Sequence, residues 1–206
     1  MSLMARDKGG EGFPPIDPGT HHAVCYGVVD LGTQQNQLFD NKAQKVWIVW
    51  ELPDVRIEFD KDGKHYNIPR SISKIYTLSI HEKSNLGKDL VSWRGVPFNE
   101  AEKQGFDIVS ILEANCLLQV VQQQKNGKTY AQITTIAKLM KNMQKAKPEN
   151  EIIQYSMEVD GFNIPKNIPE WVAKMIHKSE EFQGGQRTDV PDLQDRPPVT
   201  DDDIPF

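Results

Sequence analysis

Cysteine is scarce in this chain, and long apolar runs are missing altogether. The only two cysteines among the 206 residues, Cys25 and Cys116, form no CxxC pair, which argues against a zinc ribbon and a disulfide scaffold. Each lies in an apolar stretch and is predicted to be a small core residue. No segment approaches the ~20 apolar residues that a membrane-spanning helix needs, and the N-terminal MSLMARDKGG lacks the apolar region of a signal peptide. A cytoplasmic protein with no membrane partner is therefore expected.

Catalytic and metal-binding motifs are also missing. The sequence has no GxxxxGK[ST] phosphate loop and no GxSxG, HExxH or GxGxxG motif, and its five histidines show no metal-ligand spacing. Residues 60–64 resemble half of a calcium loop, but Lys64 stands at a ligand position, so a hairpin turn is the simpler interpretation. No acidic cluster has the spacing of a nuclease metal site. We therefore predict a protein that is not an enzyme and that uses no cofactor and no metal.

The charge is unevenly distributed along the chain. The formal net charge is -5, but residues 41–145 hold 16 Lys/Arg against 11 Asp/Glu and are net +5. The last 24 residues, 183–206, hold six aspartates against two arginines and are net -4. A basic central segment suits a polyanion, because Lys and Arg neutralise phosphates. The acidic total therefore does not exclude a nucleic-acid partner.

Composition divides the chain into four parts. Residues 1–20 are rich in Gly and Pro and are predicted to be a flexible N-terminal arm. Residues 21–145 are predicted to be the one folded domain, and residues 146–182 an extension packed on it. Residues 183–206 combine four prolines with repeated Asp and are predicted to be a disordered acidic tail.

The apolar pattern of the folded domain is that of short antiparallel strands. Helix caps predict a short helix that begins after Ser84 and ends at Gly95, and a second helical piece is possible across NEAEKQG. The second and third strands are joined by an extended hairpin that turns at Asp62-Gly63. Period-two alternation and turn residues predict strands at 21–32, 45–53, 70–80, 114–124 and 129–139, the first closed by Gly32 and the second by Pro53. The resulting order, β-β-β-α-β-β, predicts a mainly β fold, a five-stranded OB-fold barrel of the kind that binds oligonucleotides or oligosaccharides.

A helix is predicted to end the extension. It begins at about Pro169, because proline is favoured in the first turn of a helix. Trp171, Met175 and Phe182 lie near one stripe of that helix. We therefore expect these three side chains to pack it against the barrel.

Single-strand binding needs a cationic groove for the phosphates and aromatic faces on which unpaired bases stack. The second predicted strand supplies both kinds of side chain. Its even positions are all apolar and its odd positions are mixed, so Trp50 is predicted to be core and Trp47, beside Lys45, to be an exposed stacking platform. The alternative is that each such residue is an ordinary half-buried surface side chain.

Further candidates lie on the third strand and on the last hairpin. The third strand has a basic and aromatic face that also includes apolar positions, so a bulge is predicted where that face changes from exposed to buried. In the last hairpin Tyr130 is predicted to point outward, and the loop before it is one of the two that line OB-fold clefts. Together the candidate single-stranded-DNA-binding residues are Lys45, Trp47, Arg70, Lys74, Tyr76, Lys125, Lys128, Tyr130 and Lys138.

The chain ends in DDDIPF, in which large apolar side chains follow three aspartates. Apolar groups at a frayed terminus gain nothing by burial unless a partner supplies the other wall. The stretch is identical to the tip of bacterial single-stranded-DNA-binding proteins, where a disordered acidic linker presents it to replication, recombination and repair enzymes. The resemblance implies that the partner-binding residues are Asp201, Asp202, Asp203, Ile204, Pro205 and Phe206, with Phe206 in an apolar pocket and the aspartates on basic residues.

The remainder of the chain is similar to phage-encoded OB-fold single-stranded-DNA-binding proteins. The similarity covers about residues 18–182 and rests on KVWIVWELP, ISKIYTLSIHEKSNLGKDLVSWRG, GKTYAQITTIAKL and IPEWVAKMIHKSEEF. It implies a protein of the bacterial cell, encoded by a phage or by the bacterium, that coats single-stranded DNA and recruits enzymes of replication, recombination or repair.

Two other interpretations stay open at this point. One is an adaptor or recombination accessory protein, whose barrel would bind protein or another ligand while its tail docks an enzyme. A homo-oligomer is also open, because sheet edges and the N-terminal arm are both surfaces through which copies pair.

Overall fold

The structure is a computed structural model, and it describes residues 13–36 and 41–185. The protein is mainly β, with few and short helices. Its strands are β1 (Gly19–Asn36), β2 (Asn41–Lys61), β3 (Lys64–Thr77), β4 (Asn115–Lys125), β5 (Lys128–Lys138) and β6 (Ile153–Tyr155). Its α-helices are α1 (Asn85–Arg94), α2 (Glu100–Gln104), α3 (Met157–Asp160), α4 (Glu170–His177) and α5 (Glu180–Gly185), and a 3-10 turn spans Ile108–Ile111.

The strands form one six-stranded sheet. Five of them follow the order β3-β2-β1-β4-β5, and every neighbouring pair on this path is antiparallel. The sixth strand, β6, pairs in parallel with β1 and was not predicted from the sequence. Two strands are longer than predicted, because β1 continues through Gly32 and β2 through Pro53. The strand pairing is irregular between Asp30 and Gly32 and between Leu52 and Arg56. These irregularities accommodate the positive φ of Gly32 and the missing N–H of Pro53.

One face of the sheet encloses the main core. Even positions of β2, including Trp50, meet buried residues of β1, β3, β4 and β5. Helix α1 closes this core with Leu86, Leu90 and Trp93. The caps predicted for this helix are confirmed: the Ser84 side chain accepts a hydrogen bond from the Gly87 N–H, and Gly95 ends the helix with a positive φ.

The opposite face of β1 and β2 carries a second core. Odd positions of β2, among them Trp47 and Val49, pack against β6 and helix α4. The two faces of these strands are therefore both buried, the outer one by the C-terminal extension. A buried carboxylate, Glu51, joins the extension to β2 by accepting hydrogen bonds from the backbone N–H groups of Glu149 and Asn150.

The C-terminal extension ends in two short helices rather than one. Helix α4 packs through Val172 and Ile176, which are fully buried. The contact predicted for Trp171 is made only in part: the residue is 49% exposed, and its ring packs edge-on against Trp47 of β2. Phe182 is buried, but on α5.

Two hairpins shape the surface near the main core. The outer part of the β2–β3 hairpin pairs Arg56 with Pro69 and continues to Lys61 and Lys64 at the turn. The β4–β5 hairpin turns at Asn126-Gly127, where both residues have a positive φ. Such two-residue turns match the right-handed twist of the flanking strands, which explains why the NG dipeptide closes the hairpin here.

The two cysteines are buried and unpaired with one another. Burial raises the pKa of the Cys25 thiol to about 12 and also raises the pKa of Cys116. Both side chains therefore act as small apolar core residues. None of the helices in the described ranges is long and apolar enough to cross a membrane.

Candidate nucleic-acid interface

A groove of about 840 Å3 is lined by β3 of one hairpin, β5 of the other and the segment before β1. We call it the hairpin groove. Three of the nine predicted binding residues line it, namely Arg70, Lys128 and Tyr130. The residues that line it are Phe13, Pro15, Ile16, Arg70, Ser71, Ile72, Ser73, Lys128, Thr129, Tyr130 and Ala131.

The β4–β5 hairpin presents an aromatic ring to this groove. Tyr130 stands two residues after the turn on β5 and is 51% exposed. Lys125 and Lys128 pair across the turn and are both exposed. An exposed ring beside two cations has the composition of a single-strand binding surface, in which bases stack and phosphates meet positive charge.

Arg70, which lies on β3, lines the same groove. It follows the buried Pro69 on β3 and is half-buried. Its Nη1 donates a hydrogen bond of 2.8 Å to the backbone carbonyl of Pro14. A guanidinium has five N–H donors, so this bond leaves others for an anionic ligand.

A short aromatic row continues from the groove onto the β2–β3 hairpin, and the sequence interpretation missed it. Phe13 lines the groove and lies 5.7 Å from the Phe59 ring, centroid to centroid. Phe59 is stacked on Tyr66 at 5.1 Å with an interplanar angle of 12°. Alternation along RIEFDKDGKHYNI places these two rings on one face of the hairpin, and that pattern could have revealed them.

The charge of the groove is positive. Arg70 and Lys128 are the charged side chains among its lining residues, and no acidic residue is among them in the described part of the chain. The acidic residues Glu58 and Asp60 of the outer β2–β3 hairpin lie on its other face, where Asp60 accepts a hydrogen bond from His65 and Glu58 one from Asn67. Anionic ligands would therefore meet little repulsion in the groove itself.

The prediction that Trp47 is an exposed stacking platform is wrong. Its side chain is 4% exposed and packs edge-on against Trp171, with ring centroids 5.5 Å apart. Alternation correctly placed it on the face opposite Trp50, but that face is covered by β6 and α4. Trp47 is thus a residue of the second core.

Tyr76 is also buried and provides no stacking face. Its hydroxyl donates to Asp89 on α1 at 2.7 Å, and Lys74 forms an ion pair with the same carboxylate at 2.8 Å. Burial, together with the neighbouring Asp89, raises the pKa of the Tyr76 hydroxyl. The prediction of a bulge in this strand is wrong, because the register from Arg70 to Thr77 is continuous. Along this stretch the face is half-buried at Arg70 and Lys74 and buried at Ile72 and Tyr76.

Lys45 and Lys138 lie outside the groove lining. Lys45 donates from Nζ to the Thr77 hydroxyl at 2.7 Å across the β2–β3 pair. Regular alternation from Tyr130 would place Lys138 on the same face of β5, but a register irregularity near Thr134 changes that alternation. The Lys138 side chain lies against Gly95 at the end of α1, where an added Cβ would come within 3.1 Å of its Cδ.

The predicted tail residues, Asp201 to Phe206, lie outside the described residues, as do residues 1–12 of the predicted arm.

A second groove, of about 900 Å3, lies beside α1 and α2. Lys88 and Lys103 line it, but so does Glu82, and the ring of Phe98 is buried, which leaves the imidazole of His81 as its exposed ring. None of the nine predicted binding residues lines it. Although it is slightly larger, its mixed charge and the absence of an exposed Phe, Tyr or Trp ring from its lining make it less suited to a single strand than the hairpin groove.

No group of three His, Cys, Asp or Glu side chains in the described ranges is placed to hold a metal ion. No protein-family model matches the chain, and no curated protein matches it with significance.

Proposed function

We propose that this protein is a non-catalytic single-stranded-DNA-binding protein. In this proposal it coats single strands during replication, recombination or repair and recruits partner enzymes through DDDIPF. The observation that carries the proposal is the half-exposed Tyr130, which shares an acid-free groove with Arg70 and Lys128. A ring in such a place can stack on an unpaired base of any identity while the cations hold the phosphates.

The proposal includes an OB-fold barrel for the sheet. The order β3-β2-β1-β4-β5, with α1 between the third and fourth strands of the sequence, agrees with a five-stranded Greek-key barrel. In that fold the loop between the last two strands lines the binding cleft, and here the same loop carries Lys125 and Lys128. The cleft of the proposed barrel would therefore coincide with the hairpin groove.

Recruitment rests on the sequence of the tail. DDDIPF combines an apolar anchor with charges that a basic rim on a partner can hold. The resemblance to bacterial and phage single-stranded-DNA-binding proteins supports a bacterial cytoplasmic setting for this partnership.

Salt dependence of oligo-dT binding tests the proposal. Binding is expected at low salt and should weaken as salt rises, because each neutralised phosphate contributes about -0.7 to the slope of log K against log salt. Lys128→Gln should reduce the magnitude of that slope by about 0.7. Fluorescence anisotropy of labelled oligo-dT is the suitable readout, since Trp47, Trp50 and Trp93 are buried and report poorly on the groove.

Lys174→Gln is the matched control for that measurement. Lys174 is also exposed, but it lies on α4 and pairs with Glu170. Its replacement should leave the slope unchanged. Absence of oligo-dT binding by the unsubstituted chain at low salt would refute the proposed function, and equal slopes for Lys128→Gln and the unsubstituted chain would refute the assignment of the groove.

The alternative, an adaptor whose barrel binds protein, makes a different prediction for the tail. In our proposal, deletion of residues 201–206 abolishes binding to purified replication or repair enzymes that recognise DDDIPF, while oligo-dT affinity is kept. Surface plasmon resonance against a panel of such enzymes measures the first effect and anisotropy the second. Enzyme binding without any oligo-dT binding would favour the adaptor, and enzyme binding that survives the deletion would exclude the tip as the recruiting element.

A further inference from the structure

The N-terminal segment Phe13–Ile16 forms part of the wall of the hairpin groove and is held at both ends. Ile16 is buried in the main core, and its carbonyl accepts a hydrogen bond from the Gln122 side chain at 3.1 Å. At the other end the Phe13 ring is 53% exposed and contacts Phe59. The segment is therefore firmly anchored at Ile16 and only lightly held at Phe13.

The chemistry of this segment is close to that of a single strand. Pro14 and Pro15 have no N–H, so this stretch of backbone offers hydrogen-bond acceptors, as a sugar-phosphate chain does. One of those acceptors, the Pro14 carbonyl, is bound by the Arg70 guanidinium at 2.8 Å. The neighbouring Phe13 ring packs against Phe59 at an interplanar angle of 52° and so takes up part of a ring on which a base could otherwise stack.

We propose that Phe13–Pro15 is an internal competitor that occupies the path of the single strand in the free protein and leaves it when nucleic acid binds. The inference rests on the proposed function, and it specifies how the same groove is regulated. Two places on that path are partly taken in the free protein: the Pro14 carbonyl accepts from one N–H of the Arg70 guanidinium, and the Phe13 ring packs against Phe59. Ile16, which stays in the core, is the fixed point about which the three preceding residues move.

Removal of the competing ring should strengthen DNA binding. Phe13→Ala deletes the contact with Phe59, so the strand no longer has to displace it, and the affinity for oligo-dT should rise about threefold to tenfold. Phe13→Leu, which keeps an apolar side chain but has no ring, should give a smaller rise. Phe162→Ala is the matched control, because Phe162 is 47% exposed and lies on the C-terminal extension, where it contacts Phe182.

Each outcome of the anisotropy titration separates this inference from the proposed function. Tighter binding by Phe13→Ala with unchanged binding by Phe162→Ala supports the competitor. Weaker binding by Phe13→Ala would overturn the competitor and show that Phe13 contacts the strand. Unchanged binding by Phe13→Ala would also overturn the competitor. In both cases DNA binding by the unsubstituted chain would leave the proposed function standing. If neither the unsubstituted chain nor any Phe13 variant binds oligo-dT, the inference and the proposed function both fail. Circular dichroism of each variant checks that the fold is kept.

Discussion

Glu51→Leu is expected to lower the free energy of unfolding by about 1 to 3 kcal/mol. The Glu51 carboxylate is fully buried on β2 and accepts hydrogen bonds from the Glu149 N–H, the Asn150 N–H and the Asn150 side-chain amide, at 2.6 to 3.0 Å. Leucine has a similar volume but accepts no hydrogen bond, so three donors would lose their partner at a part-buried site. Urea unfolding followed by tryptophan fluorescence measures the loss.

The position of Glu51 explains why the effect should extend to the second core. The bonds to residues 149 and 150 fix the chain just before β6, whose Ile153 and Tyr155 pack against the outer face of β1 and β2. Without those bonds the extension is expected to detach more readily, and Trp47 to become exposed to solvent. The red shift of Trp47 emission would then precede global unfolding.

Two further variants test this explanation. Glu51→Gln keeps one carbonyl oxygen as an acceptor but places an NH2 donor among donors, so we expect about half of the loss seen with leucine. Glu58→Gln removes a carboxylate from the exposed face of the β2–β3 hairpin and should change stability by less than about 0.5 kcal/mol. Stability of Glu51→Leu equal to that of the unsubstituted chain would show that the buried carboxylate contributes nothing.

Local patterns predicted much of the sheet and its turns. The five strands of the main path and the short helix after Ser84 follow from alternation, NG and DG turns and cap residues, all of which act within a few residues. The predicted ends of β1 and β2 were wrong because Gly32 and Pro53 were treated as terminators. In a long strand a local irregularity accommodates such residues without ending the pairing.

Those local patterns do not predict which segment of the chain covers a face of the sheet. Alternation shows that Trp47 and Trp50 point to opposite faces, but it does not show which segment lies on the outer one. Here β6 and α4, more than a hundred residues later in the chain, bury Trp47. Alternation likewise does not predict the partner of Tyr76 and Lys74. Both side chains contact Asp89, which lies on α1.

The binding candidates were predicted best where exposure follows from local geometry. Tyr130 and Lys128 stand next to a tight turn, so no distant segment is needed to place them at the surface. Arg70 lines the groove together with Ile16 and donates to the Pro14 carbonyl, an arrangement that composition alone did not indicate.

Tyr130→Ala is expected to weaken oligo-dT binding about 5- to 150-fold. Stacking of a base on an aromatic side chain contributes about 1 to 3 kcal/mol, and Tyr130 is the half-exposed ring nearest the cations of the β4–β5 turn. Since the ring is not part of either core, its removal should leave the free energy of unfolding within about 0.5 kcal/mol of the original value. Anisotropy of labelled oligo-dT at fixed salt measures the affinity, and urea unfolding measures the stability.

Tyr130→Phe and Trp171→Ala distinguish stacking from other causes of a loss. Phenylalanine keeps the ring, so binding should stay within about threefold if stacking is the interaction that counts. Trp171 is as exposed as Tyr130, at 49%, but lies on α4 at the outer face of the sheet, so its replacement by alanine should leave affinity unchanged. A loss with Trp171→Ala and none with Tyr130→Ala would move the interface to the C-terminal extension. Equal losses with Tyr130→Phe and Tyr130→Ala would assign the contact to the hydroxyl, and the groove would then recognise a hydrogen-bonding group rather than the face of a base.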